Sequence, residues 1–297
     1  MAIRLGANQY GKAEVRLVRI NRDTDVHTIK DVNVTSQLRG DFDAVHTGGD
    51  NANCVATDTQ KNTVYAFARK HGVHAIEDFA LLLARYHVDT FDHVSGSRQE
   101  VQEYTWNRIA TPEGPHDHAF VRSGAETRTT VVTKDGDAEW VLSGFEGLTV
   151  LKSTGSEFHG YPKTEFTTLA ETTDRILATD VAARWRYTGT AVDYDATYAS
   201  VRALLLEAFA TTHSLALQQT LYTMGESVLR AHPQIAEIRF SMPNKHHFLV
   251  DLSPFGMDNP NEVFFAADRP YGKIEAAVVR DGAPDPGRAW ESVPGFL

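Results

Sequence analysis

The feature that most constrains this chain is a weak internal repeat. Ala56-Thr57-Asp58 recurs 122 positions later as Ala178-Thr179-Asp180. The apolar run Ala80-Leu81-Leu82-Leu83-Ala84 is answered 123 positions later by Ala203-Leu204-Leu205-Leu206-Glu207-Ala208. Two features matched at one spacing point to two related halves, and 297 residues exceed the usual size of one hydrophobic core. The expected boundary lies between residues 139 and 140, with one domain over 1–139 and a second over 140–297.

Each half reads as strands followed by helices. Glu14-Val15-Arg16-Leu17-Val18-Arg19-Ile20 mixes polar and branched apolar residues, and Asp31-Val32-Asn33-Val34 alternates, as half-buried strands do. Thr63-Val64-Tyr65-Ala66-Phe67-Ala68 is expected to be another strand. From Asp195, taken as an N-cap, the apolar residues Tyr198, Val201, Leu204, Leu205, Ala208 and Phe209 line one helical face. Leu217 to Ala231 forms a second helix, closed by Pro233. Ile238, Phe240 and Met242 then alternate with polar residues, and the alternation resumes at Phe248, Val250 and Leu252, which predicts a hairpin. The expected class is α+β, with antiparallel sheets covered on one face by helix pairs. Such sheets leave long edges, for which closure into a barrel is one remedy.

Charge narrows the partners. Twenty-nine basic against 39 acidic side chains give a net charge of −10, which disfavours nucleic acid because phosphate neutralisation needs a cationic face. A small anion could still bind in a pocket that gathers cations and N–H donors locally. No apolar run approaches the roughly 20 residues of a membrane-spanning helix, and Met1 to Gln9 lacks the pattern of a signal peptide. The lone Cys54 can form neither an intramolecular disulfide nor a multi-cysteine zinc site, and is expected to be a small buried apolar residue in a reducing compartment.

Three residue sets could carry chemistry. His116-Asp117-His118 would put two imidazoles on one side of a strand, as metal sites require, but it also suits a polar loop and suggests no third ligand. Asn244-Lys245-His246-His247 follows Pro243 in turn-like sequence, and only one of its histidines could face a given pocket. Tyr10-Gly11-Lys12 sets a lysine at the mouth of a strand, where most lysines are solvated surface charges. Phosphate-binding glycine loops, the dinucleotide fingerprint and nucleophile elbows are absent.

Taken together, several short stretches resemble the urate oxidase family. They are Tyr10-Gly11-Lys12, Val55-Ala56-Thr57-Asp58 with Lys61-Asn62-Thr63, Gly147 to Thr154, Thr172-Thr173-Asp174-Arg175-Ile176-Leu177, and Pro243-Asn244-Lys245-His246. Each is moderately specific, whereas their order and spacing along nearly the whole chain are highly so. The resemblance implies two tandem T-fold domains and a homotetramer whose subunits close a tunnel-like barrel, with active sites between subunits. It implies cofactor-free oxidation of urate by O2 and water to 5-hydroxyisourate and hydrogen peroxide, with neither a metal nor an organic cofactor.

Carried onto this sequence, the resemblance implies that Phe158 stacks on the purine, Arg175 forks onto one edge and Gln218 binds the opposite edge. The Leu217 backbone N–H adds a donor, and Thr57, Asp58 and Asn244 complete the substrate contacts. Lys12, Thr57 and His246 are implied as a proton relay, with a desolvated Lys12 amine as acceptor and Asn244 and Thr57 cradling oxygen. Leu217 stands where some relatives carry valine. The C-terminal residues lack the Ser-Lys-Leu peroxisomal address, so a cytoplasmic enzyme without membrane or nucleic-acid partners is expected. Two rivals are a zinc-dependent T-fold enzyme acting on pterins or nucleotides, which needs a metal set, and a purine-binding protein without turnover, which needs no Lys12, Thr57 and His246.

Overall fold

A computed structural model describes residues 3–267 and 269–296. Met1, Ala2 and Leu297, which belong to the termini expected to lack targeting signals, lie outside the described residues. The chain folds into two compact units. The first holds the chain up to Gly144 with residues 186–195 and 284–292, and the second holds 145–185, 196–283 and the C-terminal stretch.

In the first unit β1 (Tyr10–Asn21) and β2 (Thr28–Gly40) form an antiparallel pair, followed by a short α1 (Asp43–Gly48) and the helices α2 (Thr57–His71) and α3 (Ile76–Thr90). Next come β3 (Val94–Tyr104), a small hairpin of β4 (Trp106–Thr111) with β5 (Gly114–Arg122), and β6 (Thr127–Asp135). The main strands lie in the order β1-β2-β3-β6, with β2–β3 and β3–β6 antiparallel. The second unit repeats the succession with β7 (Ala138–Lys152), β8 (Leu177–Tyr187), α4 (Tyr194–Thr211), α5 (Leu217–Ala231), β9 (Ile235–Asn244), a hairpin of β10 (His247–Leu249) with β11 (Phe264–Ala266), and β12 (Gly272–Val279). Its strand order is β7-β8-β9-β12, with β9 and β12 antiparallel. β1 and β12 are edge strands.

Each layer follows from its sequence period. In β2, Val32, Val34 and Leu38 are buried at every second position with Ser36 between them. In α3, Ile76, Phe79, Ala80, Leu83, Ala84 and His87 recur at three- and four-residue steps and pack on β3 and β6. In α5, Leu217, Leu221, Met224 and Val228 do the same against β9 and β12. Gly225 lets α5 approach β12 closely, since a Cβ there would lie 2.6 Å from Val278.

The duplication is therefore present in topology, although the matched segments are not its equivalents. Thr57-Asp58 opens α2 while Thr179-Asp180 lies inside β8, and the two leucine runs fall in α3 and α4, the second helix of one half and the first of the other. Thr63–Ala68 is not a strand but the middle of α2. Its β-branched and aromatic residues are overridden by burial of Gln60, Thr63, Val64 and Ala68 at helical spacing, and by Asp58 in the first turn with Arg69, Lys70 and His71 in the last, which suit the helix dipole. The hairpin expected across residues 243–246 does not form, because β9 pairs with β12 and β10 with β11. α4 begins at Tyr194, two residues before the Ala196 start that an Asp195 N-cap implies, placing Asp195 in its first turn.

One buried ion network ties α3 to the sheet of the first unit. Glu77, fully buried, accepts hydrogen bonds from Ser143 at 2.5 Å and from Arg128 at 2.8 Å. Arg128 also reaches Asp195 at 2.5 Å and Glu103 at 3.7 Å. Burial pushes the Glu77 carboxyl above its ordinary pKa, with Arg128 and Ser143 opposing. Burial works against the Arg128 charge, yet Glu77, Glu103 and Asp195 outweigh it and hold its pKa above the ordinary value. Removing one partner strands the other charge in the interior. Arg128→Met is expected to cost about 3 kcal/mol in chemical denaturation, and Glu77→Gln/Arg128→Met is expected to recover part of that loss; equal losses in the two variants would mean that the ion pair is not what the single substitution breaks.

Candidate active site

The long connection from β7 to β8 folds into a strap that presents Phe158 and Arg175 together. Phe158 and Thr172 exchange backbone hydrogen bonds at 2.8 and 3.1 Å, and the Arg175 N–H donates to the Ser156 carbonyl at 2.9 Å. The strap is also bound to the loop before α5, where the Glu157 N–H donates to the Ser214 carbonyl at 2.7 Å and the Ser214 N–H to the Gly155 carbonyl at 2.9 Å. Ser156 and Ser214 are fully buried. Arg175 Nε donates to Ser156 Oγ at 3.4 Å, and the guanidinium carbon sits over the Phe158 ring, 5.1 Å from its centroid. Tyr161 stacks on the same ring at 4.8 Å with a 15° tilt.

Arg175 is half-buried and pairs with no carboxylate among the described residues. Burial alone lowers its pKa. It opens onto a cleft of about 140 Å³ lined by Phe158, Thr172, Asn244, His246 and Phe248. A flat ligand in the plane of the guanidinium would lie against an aromatic face, with two parallel N–H donors aimed at its edge.

The far wall of the cleft is the turn that leaves β9. The Lys245 N–H donates to the Ala178 carbonyl at 2.8 Å, and Lys245 Nζ bonds Asp180 at 2.6 Å. Although partial burial opposes it, hydrogen bonds from Lys245 and Thr149 hold the Asp180 carboxyl below its ordinary pKa. With Lys245 turned onto β8, His246 lines the cleft. Burial, then the nearby Arg175 and His247, push His246 below the usual histidine value, which favours the neutral imidazole.

A uricase family model matches residues 8–133 and 141–275. The chain is 62% identical to the uricase of Arthrobacter globiformis over 292 residues, covering 98% of this chain and 95% of that protein. It is 36% identical to the uricase of Aspergillus flavus, covering 92% and 96%. The chain belongs to the uricase family. Among solved structures it superposes on Arthrobacter globiformis uricase with a TM-score of 0.94 at 61% identity, covering 98% and 99%, and on a Bacillus fastidious uricase with 0.79 at 26% identity, covering 98% and 99%. These matches agree with the α+β class and the T-fold expected from the sequence.

Within this uricase fold the expected site residues fall into two groups. Phe158, Arg175, Asn244 and His246 line one cleft of the second unit. Leu217 and Gln218 open α5 in the same unit without lining that cleft. Leu217 is buried, and its N–H belongs to the first turn, where backbone donors lack intrahelical partners; Gln218 is exposed. Lys12, Thr57 and Asp58 belong to the first unit. Lys12 is half-buried on β1 opposite Ser36, and Thr57 heads α2. Asp58 is exposed and held by Lys61 at 2.5 Å and Asn62 at 2.9 Å; Lys61, with smaller help from Asn62 and Lys12, lowers its pKa.

His116 and His118 do share β5, with ring centroids 5.9 Å apart, so this stretch is a strand and not a loop. His118 Nε2 bonds the Asp25 carbonyl, and the described residues contain no group of three His, Cys, Asp or Glu side chains able to hold a metal. Cys54 is half-buried beside the Tyr10 hydroxyl instead of fully buried. Sequence reasoning overlooked Glu157, Tyr161, Asp180, Ser156 and Ser214 as site residues, and named Lys245 within the 244–247 set without giving it a role. Glu157 adjoins Phe158 and could have been flagged for that reason; Asp180 and Ser214 act across the fold and leave no local signal.

Two backbone details fix where Lys12 sits. A Cβ on Gly11 would lie 1.8 Å from the Ser36 carbonyl oxygen, so only glycine lets β1 pair with β2 there. Ala13 and Glu14 then bulge opposite Thr35, with Glu14 at φ 56° and its N–H bonded to Thr35 Oγ1 at 3.1 Å. Gly11→Ala is expected to destabilise the fold by about 3 kcal/mol in denaturant titrations, whereas Glu14→Gly relieves the left-handed strain and gains up to about 1 kcal/mol.

His246 also predicts a pH dependence. Because its folded pKa is depressed, the unfolded chain takes up the proton first on acidification. The His246 contribution to stability is therefore full above the ordinary histidine value of about 6.5, and it falls as the pH drops through the window between that value and the folded one. Thermal melts from roughly pH 7 to 5 should show a smaller acid loss for His246→Gln than for the unmodified chain; an unchanged profile would assign that loss to other groups.

Proposed function

We propose that the chain is a urate oxidase, converting urate, O2 and water to 5-hydroxyisourate and hydrogen peroxide without a metal or organic cofactor. The observation that carries this reading is the half-buried Arg175 guanidinium, which has no carboxylate partner among the described residues and is layered on Phe158 at the mouth of a small cleft. Urate is planar, anionic and edged with hydrogen-bonding groups, so a guanidinium fork and an aromatic face select it together. Gln218 and the Leu217 N–H at the start of α5 bind the opposite edge, with the helix N-terminus favouring negative charge. Membership of the uricase family supports the same reading.

Ground-state oxygen is a triplet and urate a singlet, so the substrate must first become electron-rich enough to give up one electron. Removal of a second proton supplies this. The Lys12 amine accepts the proton through the Thr57 hydroxyl, with His246, kept neutral by its surroundings, as a further carrier. The urate dianion transfers one electron to O2, and the radical pair recombines to a peroxide that takes back the proton held by Lys12 to become a hydroperoxide. Water then displaces hydrogen peroxide. Asn244 and Thr57 hold first oxygen and then water above the purine plane, and Asp58 adds a polar contact at the rim.

The active form is a homotetramer in which Lys12, Thr57 and Asp58 of one chain meet the Arg175 cleft of another. Three observations support this assembly. The cleft of about 140 Å³ is smaller than the roughly 300–1,000 Å³ of most small-molecule sites. Lys12 lies on an edge strand, and both edges, β1 and β12, carry exposed apolar residues such as Val18 and Val279. Phe248, Leu249 and Phe265 on the β10–β11 hairpin are exposed as well. No helix among the described residues is long and apolar enough to cross a membrane. With the lone Cys54, this suits work in the reducing cytoplasm, with neither nucleic acid nor membrane as partner.

An oxygen electrode with chelator-treated protein and urate, run beside a peroxide assay, tests the proposal. Oxygen uptake matched by peroxide is expected. Lys12→Ala should lower kcat by about a hundredfold with little change in KM, and Phe158→Ala should chiefly raise KM. Activity that returns only with added zinc would replace this reading with metal-assisted chemistry, and full oxygen uptake by Lys12→Ala would remove the relay.

A further inference from the structure

Glu157 sits between the two most tightly bound residues of the strap, and its side chain takes part in nothing described so far. In extended chain, neighbouring side chains point to opposite sides. Ser156 faces inward, fully buried and bonded to Arg175, while Phe158 takes the cleft. Glu157 accordingly projects away from both. Its carboxylate is gripped from two directions, with Oε1 accepting from His213 Nε2 at 2.5 Å and Oε2 from His159 Nε2 at 2.8 Å. Those bonds, His213 first, hold the Glu157 carboxyl below its ordinary pKa, so both oxygens stay available as acceptors.

The two histidines belong to different segments. His159 follows Phe158 within the strap, whereas His213 precedes Ser214 in the loop that delivers α5. The backbone joins the same two segments through Ser214, whose Oγ accepts from Thr220 Oγ1 in the first turns of α5 at 2.8 Å. We infer that Glu157 is a positioning residue for the purine site: its bridge from His159 to His213 sets the spacing between the Phe158–Arg175 face and the start of α5, where Leu217 and Gln218 offer their donors. The inference rests on the reading of Phe158 and Gln218 as purine contacts. Glu157 itself touches neither substrate nor any proton in transit. A change there alters how well urate is held and leaves the proton relay intact.

Steady-state oxygen uptake tests this on the intact protein. Glu157→Ala should raise KM for urate about fivefold with kcat within about twofold, and Glu157→Gln, whose amide oxygen still accepts one histidine N–H, should recover part of the loss. In a double-mutant cycle, Glu157→Ala combined with Phe158→Ala should raise KM by clearly less than the product of the single effects, because Glu157 acts through the site that Phe158 helps to form. A KM for Glu157→Ala equal to that of the unmodified protein overturns the proposal, and so do fully multiplicative effects or an equal fall in kcat. An unchanged KM for Phe158→Ala would instead remove the reading of Phe158 as the purine platform. Circular dichroism and the oligomeric mass of each variant check that it folds; should Glu157→Ala fail to fold, His213→Ala severs the same bridge from its other end and must show the same KM rise.

Discussion

A half-buried arginine with no carboxylate partner among the described residues is the constraint on which the candidate site is built. Two of the arginines drawn from water, Arg128 and Arg175, show opposite solutions. Arg128 lies among Glu77, Glu103 and Asp195, and its pKa rises. Arg175 has only the Ser156 hydroxyl and the Phe158 ring, and its pKa falls under desolvation. The first arginine is satisfied by its own chain and serves the fold; the second has no counter-charge among the described residues, which is what the proposed binding of an anion needs. A net charge of −10 makes the contrast sharper, since the chain is rich in carboxylates and none of the described ones pairs with this guanidinium.

How much of the fold can be read in advance depends on whether burial and local propensity agree. In α5 the apolar positions fall at helical spacing and Pro233 stops the chain, so the expected span of residues 217–231 is the one observed. In α2 they disagree. Thr63, Val64, Tyr65 and Phe67 favour a strand, and packing against β1 and α3, with the charges at the helix ends, makes them helical. Long-range pairing left no trace at all: nothing near Met242 or Phe248 says that β9 takes β12 and β10 takes β11 as partners. The repeat was legible as two halves while its equivalences were not, because what persists between the halves is the order of elements and not the residues that fill them.

The site divides in the same way. Residue chemistry alone marked the segments at 10–12, 116–118 and 244–247, and gave no ground for choosing among them. The choice came from resemblance, which also supplied Phe158, Arg175 and Gln218. What neither could supply is the scaffolding behind them. Lys245 draws the 244–247 turn onto Asp180, and Glu157 spans two histidines 54 positions apart, at 159 and 213. Such contacts exist only once the chain has folded, and so do their consequences for where His246 and Phe158 point.

The surroundings of Lys12 add one more requirement to the proposed chemistry. A lysine bonded to a carboxylate is held in its charged form, which is useless to a group that must accept a proton. Asp58 lies close enough to feel the Lys12 charge, yet its two oxygens are taken by Lys61 and Asn62, three and four residues further along α2. The Lys61-Asn62 pair in the sequence thus does more than continue a helix. With Asp58 so occupied, the Lys12 amine is clear of an ion pair among the described residues, and Thr57 heads the same first turn as Asp58. Asp58 is thus paired within its own helix, which is what the proposed role of Lys12 as a proton acceptor requires.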